Sequence, residues 1–162
     1  MPYIELTPTV AEALKEELKT MQNSKENMQK KLFEAIERSI GFDITPKDTV
    51  PDEFACVEQL WTVLNTVHPF PYVTYTPRLV EELKKSEYWV GTLDLNKGNI
   101  IVNATGTGNG SVVGHCGFIW DNGKIVSNNS KTGKMDTYYN FETWKQRYRI
   151  KGGMPTLIFK LK

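Results

Sequence analysis

The sequence predicts an α+β domain, with helices first and an antiparallel sheet after them. Two observations carry this: helical apolar periodicity runs through the first half, and short β-prone runs bounded by turn residues fill the second. Thr7 followed by Pro8 reads as an N-cap and first helical residue. Val10, Leu14, Leu18 and Met21 then recur at spacings of 4, 4 and 3, which is one apolar helix face. Gln22-Asn23-Ser24 is expected to break this helix, and Met28, Leu32, Ile36 and Ile40 restart the stripe in a second. No strict heptad is sustained, so two helices packing on the domain are expected rather than a coiled coil. A third helix is predicted from about Pro51 to Asn65, with Thr49 and Asp52 in capping-box spacing and Val57, Leu60, Trp61 and Leu64 as its stripe. His68-Pro69-Phe70-Pro71 ends it, and a short helix follows over about Pro77 to Ser86. Strands are predicted over 99–103, 114–120, 124–127 and 156–161, with Asp121-Asn122-Gly123 as a hairpin turn. A short helix or turn is expected over Trp144 to Tyr148. Residues 1–44 thus form a helical extension and residues 45–162 the main domain.

Composition narrows the function. Apolar residues are 40% and charged residues 24% of the 162, enough for a packed core and against overall disorder. Twenty Lys and Arg against 19 Asp and Glu give a net charge of +1, which makes no electrostatic case for nucleic acid or an anionic membrane surface. No apolar run approaches the roughly 18 residues of a membrane span, and none near the start resembles a secretory leader. The expectation is a chain made in the cytoplasm and not inserted in a membrane.

Two cysteines and two histidines allow four Cys/His pairs but no disulfide scaffold or zinc cluster, so neither metal nor cofactor is expected. Cys56 falls near the start of a helix, where the positive end of the dipole favours a thiolate. His115 opens a strand and is a candidate base for it. Cys116 is next to His115, so on a strand the two point to opposite faces and make a poor pair; a packing role is expected for Cys116. His68 lies between a helix end and two prolines, which points to a loop or surface role. Ser127, Asn128 and Asn129 end the second hairpin strand, where a polar group can accept from the imidazole and set its tautomer. Asn129 shares strand parity with Ser127, whereas Asn128 needs a bulge or the strand's end to face inward. Gly106-Thr107-Gly108-Asn109-Gly110 matches neither phosphate-loop template and reads as a flexible connection bordering the cleft. Tyr72, Tyr75 and Trp89 are aromatic candidates for the cleft wall.

The run Pro51-Asp52-Glu53-Phe54-Ala55-Cys56 at a helix start, Gly98-Asn99-Ile100-Ile101-Val102, and Gly114-His115-Cys116-Gly117-Phe118-Ile119-Trp120 leading through Asn122-Gly123 to Ser127 resemble the NlpC-type and CHAP-type papain-like cysteine hydrolases. The likeness spans about residues 45–161, and Trp144, Arg147-Tyr148 and Gly152-Gly153-Met154-Pro155 resemble a phage-associated branch of that group. Ala55 stands before Cys56 where many such proteins carry aspartate. The resemblance implies a papain-like core in which Cys56 is the nucleophile and His115 the general base, with the orienting polar residue 12 positions on at Ser127; because an amide oxygen accepts well from the ring N–H, Asn128 or Asn129 just beyond is the expected orienter. It further implies an amidase or endopeptidase acting on the peptide part of peptidoglycan or another peptide. An endolysin of this kind reaches the wall by lysis or on a virion, and its N-terminal helices are left for a phage or cell-wall protein partner. The alternative is a catalytically inactive module of the same fold that binds a wall fragment or a phage structural protein.

Overall fold

A computed structural model describes residues 8–45 and 55–162. Among them, helix α1 (Pro8–Ser39) runs unbroken for 32 residues. The expected break at Gln22-Asn23-Ser24 is absent. Asn and Ser lower helix propensity by only tenths of a kcal/mol, about 0.5 each, far less than Gly or Pro, and the Gln22 side chain bonds Glu26 one turn on at 3.2 Å. Only the C-terminal part of α1 packs on the body, through Leu32, Ala35, Ile36 and Ser39. The stripe of Val10, Leu14, Leu18 and Met21 is exposed, against the expectation that it packs on the domain.

Helix α2 (Cys56–Val67) is buried along most of its length. Its expected start at Pro51, with the Thr49 and Asp52 cap, lies outside the described residues, as does the Thr7 cap of α1. It ends where His68 turns extended, as a residue before proline must. Helix α3 (Thr76–Lys85) follows, with Pro77 in its first turn. Both pack on one face of a six-stranded antiparallel sheet of β1 (Trp89–Thr92), β2 (Ile100–Asn103), β3 (His115–Ile119), β4 (Lys124–Asn129), β5 (Lys134–Asn140) and β6 (Thr156–Leu161). The strand order is β1-β6-β2-β3-β4-β5. The other face is covered at the β3–β5 end by α4 (Phe141–Trp144) and a π-helical turn over Lys145–Lys151.

Period-two alternation sorts the strands into two cores. Ile100, Val102, Cys116, Phe118 and Val126 join the helices α1–α3, while Ile101, Ile119 and Ile125 join Trp144, Tyr148 and Met154. That is why β2 and β3 are buried at every position. The hairpin turn forms as predicted, with Asn122 and Gly123 both left-handed (φ 56° and 69°). Two strands were not expected. β1 is a short edge strand containing Gly91, and β5 is a half-exposed edge strand whose alternation is broken by a bulge opposite Ile125 and Ser127. Chain order and register therefore make the molecule α+β, as the sequence implied.

His68 departs from its expected surface role. It is buried, stacks on Tyr88 at 4.2 Å, and its Nε2 accepts from the Trp89 indole N–H at 2.8 Å. Trp89 is thus a core residue and not a cleft wall. Replacing His68 by alanine leaves that buried indole without an acceptor and opens a void; the expected loss is about 2–4 kcal/mol, read from the urea unfolding midpoint.

Candidate active site

The site forms where β3 begins and the N-terminus of α2 meets the sheet. Gly114 lets the chain enter β3 in close contact with β2: a Cβ there would collide with the Asn103 carbonyl and the Thr105 backbone. Its N–H donates to Thr105 Oγ1 at 2.9 Å, and Thr105 N–H in turn donates to Thr76 Oγ1 at 2.9 Å. Gly117 plays the same part toward β4, since a Cβ would meet the Val126 carbonyl at 2.7 Å. The glycines on either side of the His115-Cys116 pair thus bring three strands together around it.

Cys116 faces α2 and shares its core with Cys56, whereas His115 faces the second core. Strand parity had anticipated that division. Cys56 is the first residue of α2, and the intrahelical ladder begins only with Gln59 N–H donating to the Ala55 carbonyl. The Cys56 N–H and the helix dipole therefore point at the region of its sulfur. The Cys56 thiol is held well below the ordinary thiol range. A hydrogen bond from the Cys116 thiol does most of this; burial opposes it, and the charge and hydrogen bond of the His115 imidazole act in the same direction as Cys116. Burial and the adjacent Cys56 sulfur push Cys116 well above that range.

Aromatic packing holds that ring. His115 stacks on Trp144 at 5.1 Å (27°) and on Tyr148 at 5.3 Å (30°), with Tyr139 edge-on at 5.9 Å. The bulge in β5 puts Tyr139 and Asp136, three residues apart, on this one face. Trp144 is fixed in turn by Asn103, whose Oδ1 accepts from the indole at 2.8 Å while its Nδ2 donates to the Met154 carbonyl at 2.8 Å. His115 is 93% buried, and its Nε2 has no hydrogen-bond partner among the described residues.

The two asparagines lie at the end of β4 but serve other groups. Asn128 faces α2 and accepts from Gln59 Nε2. Asn129 Nδ2 donates to Asp136 Oδ2 at 2.9 Å, and its Oδ1 accepts from the Lys131 N–H at 3.0 Å. Neither amide bonds the imidazole among the described residues, and Ser127 is buried beneath Gly117. Tyr72 and Tyr75 are exposed, and the Tyr72 hydroxyl donates to buried Glu58 at 3.0 Å.

Sequence reasoning missed Asn103 and Gln59. Gln59 is fully buried and ties α2 to β4 through Asn128, to the Gly133 carbonyl at 3.1 Å, and to the Ile44 N–H at 3.2 Å. The only signal was a polar residue inside an apolar helix or strand, which does not say what it bonds. A cavity of about 440 Å³ opens beside the site, walled by His115, Asn129, Asp136, Tyr139, Arg147 and Tyr148. None of the residues of the Gly106–Gly110 segment lines it; Asn109 N–H donates to the Gly152 carbonyl at 3.0 Å, and Ser111, just beyond the segment, joins the wall. No group of three or more His, Cys, Asp or Glu that could hold a metal occurs among the described residues, and no described helix is long and apolar enough to cross a membrane.

No family model matches the chain, and no curated protein matches it. The site is therefore read from its own chemistry. Alkylation by iodoacetamide should follow a Cys56 titration well below the free-thiol value of about 8.5. Cys116→Ala should move that midpoint up the most, and His115→Ala should also move it up, because each removes a group that favours the thiolate. An unchanged midpoint in both variants would refute the coupling.

Proposed function

We propose that this chain is a cysteine amidase or endopeptidase with a papain-like, NlpC/CHAP-type core. The observation that carries the reading is the acidified Cys56 thiol at the first residue of α2, under the influence of His115. A helix bearing the nucleophile against an antiparallel sheet whose central strand opens with the histidine supports the same architecture.

In this reading His115 takes the Cys56 thiol proton, the thiolate adds to an amide carbonyl carbon, and the developing oxyanion is met by the Cys56 N–H. The carbon–nitrogen bond breaks as the His115 imidazolium gives its proton to the departing amine. His115 then takes a proton from water, which attacks the thioester and releases the acid and the thiolate. The stack of Trp144 and Tyr148 orients the ring, the task that catalytic triads give to a hydrogen-bonding third residue. Asn128 and Asn129 stay in this mechanism as builders of the β4 end, through Gln59 and Asp136. The peptide part of peptidoglycan as substrate rests on the sequence resemblance, as do a wall-degrading, phage-borne setting and a phage or cell-wall partner for α1.

A second reading, a catalytically inactive binding module, draws on a specific feature. Cys56 is 93% buried, its strongest partner is another thiol, and it does not line the cavity. Turnover separates the two. Purified peptidoglycan incubated with the protein should release new amino termini. Cys56→Ala should reduce this to background in a protein that stays folded by circular dichroism, and His115→Ala should lower the rate by about 10²–10⁴. Equal release by wild type and Cys56→Ala would exclude the hydrolase.

A further inference from the structure

The net charge of +1 conceals an uneven layout. Residues 124–162 carry nine Lys and Arg against two acids, Asp136 and Glu142. Glu142 is matched by Lys145 at 3.7 Å, and Lys160 by Asp94 at 3.7 Å. Arg147 and Lys131, which both wall the cavity beside His115, have no carboxylate partner among the described residues.

The cavity's own acid, Asp136, is one charge against two and pairs with neither cation. Asp136 accepts from Asn129 Nδ2 at 2.9 Å and from the Tyr138 N–H at 3.0 Å, so both its oxygens are engaged. Tyr148 adds no negative charge either, because burial and its hydrogen bond to Tyr139 keep the phenol protonated. The guanidinium of Arg147 lies 5.7 Å from the Tyr148 ring, which keeps it at the cavity. The turn that carries both residues is π-helical, a rare geometry that is frequent at functional sites. Deeper in, the buried His115 Nε2 has no partner among the described residues.

We propose that this cavity is an anion subsite that binds acidic peptides, taking a side-chain or terminal carboxylate on Arg147 with Lys131 close by. The guanidinium fork matches the two oxygens of a carboxylate, and a cavity of this volume admits a few residues of chain around it. That the ligand is a peptide rests on the hydrolase reading above; that it is anionic does not. In that reading the carboxylate would lie beside the bond presented to His115 and would set the cleavage preference.

The test uses the full chain bearing Cys56→Ala, immobilised and exposed to a randomised pentapeptide pool, with retained peptides sequenced by mass spectrometry. Asp and Glu should be enriched about tenfold at one position over the input, as a charge-assisted bidentate contact warrants. Adding Arg147→Gln should abolish the enrichment, Arg147→Lys should keep part of it, and Lys131→Gln should weaken it. Arg147 and Lys131 are exposed, so unfolding midpoints should not move. Retention without acidic enrichment, or enrichment that survives Arg147→Gln, overturns the proposal. The outcomes separate from those of the hydrolase: enrichment with no cleavage by wild type supports the subsite and removes the enzyme. Cleavage of neutral and acidic peptides alike, without enrichment, overturns the subsite and leaves the enzyme.

Discussion

Alternation along β3 is the constraint from which the site follows. A strand sends successive side chains to opposite faces, and this strand is buried on both. Cys116 must therefore meet α2, where Cys56 waits, while His115 must enter the aromatic core formed by Trp144 and Tyr148. Two adjacent residues thus act on one thiol from two directions. The Cys56 thiol is drawn below its ordinary range by the Cys116 thiol and, less strongly, by the imidazole at the start of the same strand, against the effect of burial.

That geometry holds only because each side of the sheet is anchored by a buried amide. Gln59 locks the first turns of α2 to β4 and to the chain near Ile44, so the helix start cannot slide along the strand. On the opposite face Asn103 uses both ends of its amide, accepting from Trp144 and donating to Met154 and Thr156. Buried polar groups satisfied this fully contribute rigidity as well as stability, because any displacement leaves a donor or acceptor dry. His115 takes its orientation from the faces that pack against it, a placement with tolerance in rotation but little in translation.

Charge behaves similarly: a near-zero sum is no guide to a local field. Two basic residues of the last quarter of the chain, Lys131 and Arg147, come to one cavity because β4, β5 and the π-helical turn converge there, and most acids of the chain lie in its first half. Lys97 illustrates the opposite case, a cation spent on structure. It sits 4.3 Å over the Trp120 ring and 5.1 Å from Phe33 and pairs with Asp121 at 3.2 Å, joining α1 to the β3–β4 hairpin.

Local sequence determined the parts whose physics is local. Apolar spacing marked the helices, Asn122-Gly123 set a left-handed hairpin turn, and parity separated His115 from Cys116 before any contact was known. The candidate pair of Cys56 and His115 was legible for the same reason, as a helix start and a strand start each advertise themselves within a few residues. What only the tertiary structure decided depends on partners distant in the chain. The edge strands β1 and β5 exist because a neighbour supplies hydrogen bonds their own composition does not demand. The burial of His68 rests on Trp89, 21 residues away, and the engagement of Asn128 by Gln59 spans 69. A polar side chain states what it can bond but not with whom; the fold makes that choice by leaving each buried donor only one acceptor within reach.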